Sequence, residues 1–332
     1  MFSLSVFAGG GRINRYVHRI RCCTQSPSLK VKRNFVIFNR MPPRVQGRFR
    51  FREWTNWFGI LGEIRTQPAP VIIIPGGPGA THHLLEPIAR LTPPDRTLIY
   101  YDPTGAGASD RPTGVAWNLE LFVDELEALR TELGLDRFHI LGTSFGGTVG
   151  LAYALRRPPG LVSMTLAGAS HSYRLIRELV RDHIQTLPSA PILLDPAFPP
   201  WGGRFSPAQA KAVQEYSSLF ICRVALPATF ARALSATNFA AMNGMKGPGF
   251  LYEGNLRDLD LTSRLGEIDI PVLISCGRHD VFFPRIYEDL QARLPRSRLA
   301  VFPMSSHMPQ LEEEVAFART MFGFLAETET NA

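Results

Sequence analysis

Six short β-branched or apolar runs recur along the chain: VIII (71–74), TLIYY (97–101), FHIL (138–141), SMTLAG (163–168), PVLISC (271–276) and RLAVF (298–302). A strand with one wet face alternates apolar and polar positions. Strands of a parallel sheet covered on both faces do not, and these runs read as such strands. The stretch LELFVDELEALRTEL (119–133) has a different period. Phe122, Leu126, Leu129 and Leu133 recur at three- and four-residue intervals, so one helix face is apolar. Asn118 stands where an N-cap side chain would accept from the first free N–H groups. Strand alternating with helix predicts an α/β fold with a mostly parallel, doubly wound sheet.

The alternation lapses between residues 171 and 265. LPSAPILLDPAFPPWGGRFSP comes first, then helical stretches around 208–219 and 227–240. A helical lid inserted into the sheet domain accounts for this. The expected organisation is a basic N-terminal extension (1–44), a first part of the core (45–170), the lid (171–265) and a second part of the core (266–332). With 332 residues, 45% of them hydrophobic, the chain can bury one large core with such an insertion.

Charge is distributed unevenly. The net charge is +7, yet residues 1–52 hold twelve Arg and Lys and no acid; the remainder carries 24 basic and 29 acidic groups. Nucleic-acid binding needs basic groups clustered on the fold itself, so a mildly acidic body argues against it. The basic leader has three readings: a mitochondrial transit peptide (MFSLSVF and RINRYVHRIR), a disordered tail, or sequence upstream of a start at Met41. A secretory signal is disfavoured because its charge follows the apolar stretch. No run approaches the roughly 18 apolar residues of a membrane span. A cytoplasmic protein is expected, or a mitochondrial one under the transit-peptide reading. Cys22, Cys23, Cys222 and Cys276 are too few and scattered for a disulfide framework or a zinc ligand set. A reducing compartment is the plain inference.

The chemistry concentrates at three places. HILGTSFGGTVG (139–150) runs from strand to helix through Gly-Thr-Ser-Phe-Gly, the nucleophile-elbow pattern. A serine on so sharp a turn needs glycine neighbours, and the turn would lift the Ser144 hydroxyl above the sheet edge. It also aims the next helix's free N–H groups at a developing oxyanion. The glycine loop after the earlier strand, VIIIPGGPG, offers a second donor. Gly77 and Phe145 N–H are the candidate pair. A serine hydroxyl needs a base and the base a carboxylate, in chain order Ser, acid, His. Asp280 follows the strand at 271–276, and His307 follows the strand at 298–302, both on the rim of Ser144. Asp280 is followed by Val281, Phe282 and Phe283, and apolar surroundings would strengthen its hold on His307. His82, His83, His139, His171, His183 and His279 read as packing or surface residues, and Asp102 and Asp110 as braces of their glycine-rich loop.

Together these residues resemble the α/β-hydrolase family, and more narrowly its proline iminopeptidase-like branch. The resemblance covers about residues 47–325 and rests on PGGPG (75–79), YDPTGAGASDRP (101–112), the run from Trp117 to Gly147, MNG (242–244), GNLRDLDLTSRL (254–265), GRHD (277–280) and SSHMP (305–309). It implies a cofactor-free serine hydrolase. Many such relatives cleave an N-terminal proline or other residue from a short peptide. The departures are informative. Pro75 stands where the family's glycine loop begins with histidine. The two glutamates that grip a substrate ammonium in the branch's peptidases fall at Gly249 and Val281. Glu215 and Glu253 are the acids in the lid that could replace them. Loss of such a partner costs several kcal/mol for a buried ammonium. The leading expectation is therefore hydrolysis of a small ester or amide. The alternatives are a proline iminopeptidase with altered amine recognition, and a ligand-binding protein on a hydrolase scaffold. A small molecule or short peptide is the expected partner.

Overall fold

Ile72 and Ile74 face one side of the central sheet and Val71 and Ile73 the other, and none is more than 2% exposed. Burial on both faces is why this run contains no polar position. The computed structural model describes residues 45–330; the expectations for the basic extension 1–44 and for Cys22 and Cys23 lie outside them.

Within these residues the strands are β1 (Val45–Phe51), β2 (Trp54–Leu61), β3 (Val71–Ile74), β4 (Leu98–Tyr101), β5 (Phe138–Thr143), β6 (Leu161–Ala167), β7 (Val272–Gly277) and β8 (Ser297–Phe302). They form one sheet in the order β1-β2-β4-β3-β5-β6-β7-β8. β1–β2 and β2–β4 pair antiparallel and the other pairs are parallel. All six expected strands are present, with ends shifted by a residue or two. The hairpin of β1 and β2 was not expected. Phe49 and Phe51 face the core, while Gln46, Arg48 and Arg50 make the outer positions of β1 polar or basic. Those charges merged with the basic leader in the sequence.

Helix Leu119–Glu132 forms as its period predicts: Phe122, Leu126 and Leu129 are buried and Leu133, its C-cap, is half-buried. The Asn118 side chain accepts from Leu121 N–H at 2.9 Å. Between β6 and β7 the chain runs through helices Tyr173–Gln185, Ala190–Leu193, Pro207–Phe220, Ala228–Ala236 and Phe239–Met245. The helical stretch expected at 227–240 is broken at Thr237 and Asn238. Asn238 donates its own N–H to the Gly79 carbonyl (2.9 Å) and its amide to the Thr104 carbonyl (3.1 Å), and it caps the next helix at Ala241 N–H (3.1 Å). One residue, through its backbone and its side chain, thus ties the inserted helices to two loops of the sheet. Helix Glu314–Thr330 covers the opposite face with Phe317, Met321, Phe324 and Leu325.

The sheet order fixes where a site can lie. β3 sits between β4 and β5, so the chain departs from it first to one side and then to the other. In open α/β sheets the crevice beyond the carboxyl ends of such neighbouring strands is where ligands bind. Ile74 pairs with Gly142, which sets the glycine loop after β3 beside Ser144.

Candidate active site

Ser144 sits at φ 51° and ψ −120°, a left-handed conformation rare for a side-chain-bearing residue, and its N–H donates to the Ala167 carbonyl at 2.8 Å. The turn is possible because its glycines leave room. A Cβ at Gly146 would lie 2.3 Å from the Ile74 carbonyl oxygen, and one at Gly142 would lie 2.5 Å from the Gly146 oxygen. The crowding that the sequence pattern implied is therefore with backbone, which cannot move aside.

The late strands bring the other two groups to the same rim. His307 Nε2 lies 3.0 Å from Ser144 Oγ, and His307 Nδ1 lies 3.0 Å from Asp280 Oδ2. Asp280 is 2% exposed and accepts two further hydrogen bonds, from Phe282 N–H to Oδ1 (3.0 Å) and from the Tyr287 hydroxyl to Oδ2 (2.5 Å). The apolar residues after Asp280 thus exclude water from a carboxylate whose oxygens are already occupied. Phe282 adds a ring edge against the imidazole, centroids 5.2 Å apart. Burial, the nearby Asp280 charge and the hydrogen bond to it raise the Tyr287 phenol well above its usual range, so it remains a neutral donor.

The loop carrying His307 is held by carboxylates. Glu312 accepts from Ser306 N–H (2.9 Å) and Met308 N–H (3.1 Å), and Glu313 from Ser305 Oγ (2.6 Å). It lies directly on Gly277, where a Cβ would be 2.2 Å from the carbonyl oxygens of Ser305 and Ser306. The glycine of GRHD is needed for that approach.

Gly77 lines the space above Ser144 and Phe145 follows Ser144 at the start of its helix, and among the described residues neither N–H donates to a protein acceptor. Gly76, Gly77, Ser144 and His307 open into a cavity of about 300 Å³ roofed by the inserted helices. Its walls are largely apolar, including Phe230, Phe239, Met242 and Phe250. A second cleft of about 490 Å³, lined by Arg137, Asp269 and Arg296, lies at the amino-terminal edge of β6, β7 and β8, and no Ser, Cys or His of the described residues lines it.

The expected substrate-binding residues are dispersed. Val281 lines the cavity. Gly249 does not; it is buried at φ +60°, and a Cβ there would press on the Phe198 ring at 3.0 Å. An acid at 249 would thus be strained in this backbone. Glu253 pairs outward with Arg177 (2.5 Å) and Arg257 (3.9 Å), and Glu215 is likewise absent from the lining. No Asp or Glu of the described residues lines the cavity.

Sequence reasoning missed three residues here: Tyr287, Lys246 and Trp201. Tyr287 lies seven positions beyond Asp280, on helix Arg285–Arg293, which gave no sign of turning it back. Lys246 did leave a signal, since no acidic residue stands within six positions of it on either side. Its Nζ rests over the rings of Tyr252 (4.7 Å), Trp201 (4.8 Å) and Phe250 (5.8 Å), and burial pushes its pKa down to about 8.

The competing histidines are engaged elsewhere: His139 with Ser163 and Glu329, His82 with Asp102; His279 is exposed. Asp102 also accepts from Ala108 N–H (3.0 Å) and Asp110 from Thr55 N–H (2.8 Å), so both brace their loop. Among the described residues, His82, His83 and Glu86 bring possible metal-ligand atoms within 4.8 Å of one another. Two of the three are already paired, His82 with Asp102 at 2.8 Å and Glu86 with Arg232 at 3.4 Å.

The profile of the family described as alpha/beta hydrolase fold matches residues 69–314. The proline iminopeptidase of Heyndrickxia coagulans is 34% identical over 260 residues, 77% of this chain and 90% of the relative. That of Lactobacillus delbrueckii subsp. lactis is 29% identical over 282 residues, 83% and 96% of the two chains. Among solved structures, the proline iminopeptidase of Mycobacterium smegmatis superposes with a TM-score of 0.78 at 31% identity, covering 86% of this chain and 99% of that one. VinJ superposes with a TM-score of 0.81 at 28% identity, covering 86% and 100%. Spanning most of the chain, these matches identify it as a hydrolase of the α/β-hydrolase family, in the proline iminopeptidase-like branch.

Proposed function

We propose that this hydrolase cleaves a small ester or amide through an acyl-enzyme formed on Ser144. The observation that carries the reading is the continuous chain from Ser144 Oγ to His307 Nε2 and from Nδ1 to Asp280, at 3.0 Å each, opening into a cavity without a carboxylate. His307 Nε2 takes the hydroxyl proton as Oγ attacks the carbonyl carbon, and Asp280 stabilises the imidazolium. Gly77 and Phe145 N–H receive the oxyanion. The imidazolium then protonates the leaving alkoxide or amine. Water, deprotonated by the same nitrogen, attacks the acyl carbon, and collapse returns the proton to Oγ.

A second reading, removal of an N-terminal proline, is favoured by the name and 34% identity of the Heyndrickxia coagulans relative. An amine would find no acid on the cavity wall. No observation favours a non-catalytic binding protein. The test is a paired assay of one preparation on prolyl p-nitroanilide and on p-nitrophenyl acetate and butyrate. Esters are expected to be cleaved with kcat/KM at least about tenfold above the prolyl amide, and Ser144→Ala or His307→Gln to lower kcat by roughly 10³-fold or more. Undiminished turnover in Ser144→Ala would overturn the nucleophile, and a better prolyl amide would turn the reading to the peptidase.

A further inference from the structure

The cavity above Ser144 carries an unbalanced charge. Lys246 enters it from the turn after helix Phe239–Met245, and no acid shares the lining. Three rings hold its Nζ in place, at 4.7–5.8 Å from the centroids of Tyr252, Trp201 and Phe250. Ring faces attract a cation but do not take the place of a counter-ion. No carboxylate of the described residues pairs with Nζ, and burial alone acts on its pKa, moving it down to about 8. Most of the population is still cationic at neutral pH.

A second donor stands beside it. Trp201 Nε1 is buried and has no acceptor among the described residues. This side of the cavity is fixed in place. Trp201 N–H donates to Asn243 Oδ1 (2.8 Å), Asn243 Nδ2 donates back to the Trp201 carbonyl (2.9 Å), and the Phe250 ring meets the indole edge-on at 5.2 Å. A half-buried ammonium against three rings and a buried indole N–H, neither with an oxygen partner among the described residues, both gain when a ligand supplies the acceptor.

We infer that the substrate carries its own carboxylate, distal to the scissile bond, which is received by Lys246 Nζ and the Trp201 indole N–H. The substrate class is then the half-ester or half-amide of a dicarboxylic acid, or another acyl donor ending in a carboxylate. One ammonium matches one carboxylate charge, whereas a phosphate dianion would leave a charge unpaired in an apolar cavity. A substrate ammonium would meet a like charge, which separates this class from free-amine peptides. The inference rests on Ser144 acting as proposed above.

The experiment compares matched esters that differ in charge alone: mono-p-nitrophenyl glutarate and p-nitrophenyl methyl glutarate, with the succinate and adipate pairs to vary reach. Spontaneous hydrolysis is subtracted with Ser144→Ala protein. At pH 7 the acid of at least one pair should have kcat/KM about 10- to 100-fold above its methyl ester, the range of a charge-assisted hydrogen bond. Lys246→Met should collapse that ratio at least tenfold, Trp201→Phe should lower it about threefold, and Lys246→Arg should restore most of it. A ratio near one at every chain length, or a Lys246→Met variant that slows acid and methyl ester alike, overturns the inference and leaves the hydrolase reading standing.

Binding is read separately, so that failure of the two readings can be told apart. In Ser144→Ala protein, monomethyl glutarate should bind at least tenfold more tightly than dimethyl glutarate by calorimetry, and this difference should vanish on adding Lys246→Met. If neither ester were cleaved but the difference held, the nucleophile would be wrong and the carboxylate site right. Equal affinities would sink the site itself.

Discussion

Asp280 receives three hydrogen bonds on two oxygens, and the contribution of Tyr287 is the least expected. Its hydroxyl shares Oδ2 with His307 Nδ1, so it both stabilises the buried charge and fixes the carboxylate plane that orients the imidazole. Tyr287→Phe removes that donor and leaves the ring. We expect kcat to fall roughly 3- to 30-fold, with KM little changed because Tyr287 does not line the cavity, and a stability loss of about 1–3 kcal/mol from the under-satisfied oxygen. Steady-state kinetics with a thermal melt checks this; a change in KM alone would show that the hydroxyl does not act through Asp280. The residues of this chain were legible to different degrees for a physical reason. Ser144, Asp280 and His307 each follow a recognisable strand, so chain order and strand ends located them. Tyr287 and Trp201 act through the direction of one side chain in space. Lys246 was readable only as a lysine without acids nearby, a pattern equally compatible with solvent.

At the scale of an element, helix Leu119–Glu132 carries a buried acid that its apolar period does not announce. Glu125 is fully buried, and its Oε1 accepts from Asn56 Nδ2 (2.5 Å), Thr104 N–H (2.6 Å) and Thr104 Oγ1 (2.6 Å), while Oε2 has no partner among the described residues. Burial raises its pKa to about 7 against the lowering effect of those bonds, with Asp102 adding to the rise. The folded state therefore keeps a proton that the unfolded chain gives up near pH 4.5. Stability falls as pH rises from about 4.5 to 7 and levels off above, a contribution of about 3 kcal/mol. Glu125→Gln removes the titration, so its Tm should change less between pH 5 and pH 8 than that of the wild type. At pH 8 the variant should be at least as stable as the wild type. Parallel Tm profiles would show that Glu125 is ionised throughout. Elements were legible where their pattern was pure. The inner strands announced themselves by largely apolar runs, but β1 alternates Phe with Arg and was not read as a strand. The stretch 227–240 reads as one helix because propensity does not reveal that Asn238 is bound to Gly79 and Thr104 across the fold.

Over the whole molecule, a single acid near the described C-terminus joins regions far apart in sequence. Glu329, in helix Glu314–Thr330, accepts from Arg96 Nη1 (2.8 Å) and Nη2 (2.9 Å), from Ala69 N–H just before β3 (2.7 Å), and lies 3.2 Å from His139 Nε2 on β5. The arrangement clamps the last helix to the amino-terminal edge of the sheet, opposite the rim that carries Ser144. Burial would raise the Glu329 pKa, but the bonds from His139 and Arg96 outweigh it and hold the carboxyl down at about 2. The sign follows from linkage: a depressed carboxyl stabilises the fold above its unfolded value near 4.5, and this is lost as pH falls from there toward 2. Glu329→Gln leaves Arg96, only 7% exposed, without its counter-charge. A loss of roughly 2–4 kcal/mol follows at pH 7, or a Tm lower by about 5–10 °C. Because the active rim lies at the other edge, kcat on any ester the wild type cleaves should be nearly unchanged at 25 °C. The difference in Tm between variant and wild type should narrow as pH falls below about 4, since the wild type then loses the same interaction. A gap that stayed constant down to pH 2.5 would show that Glu329 contributes shape rather than charge. A fall in kcat with unchanged Tm would mean that the two edges of the sheet are coupled.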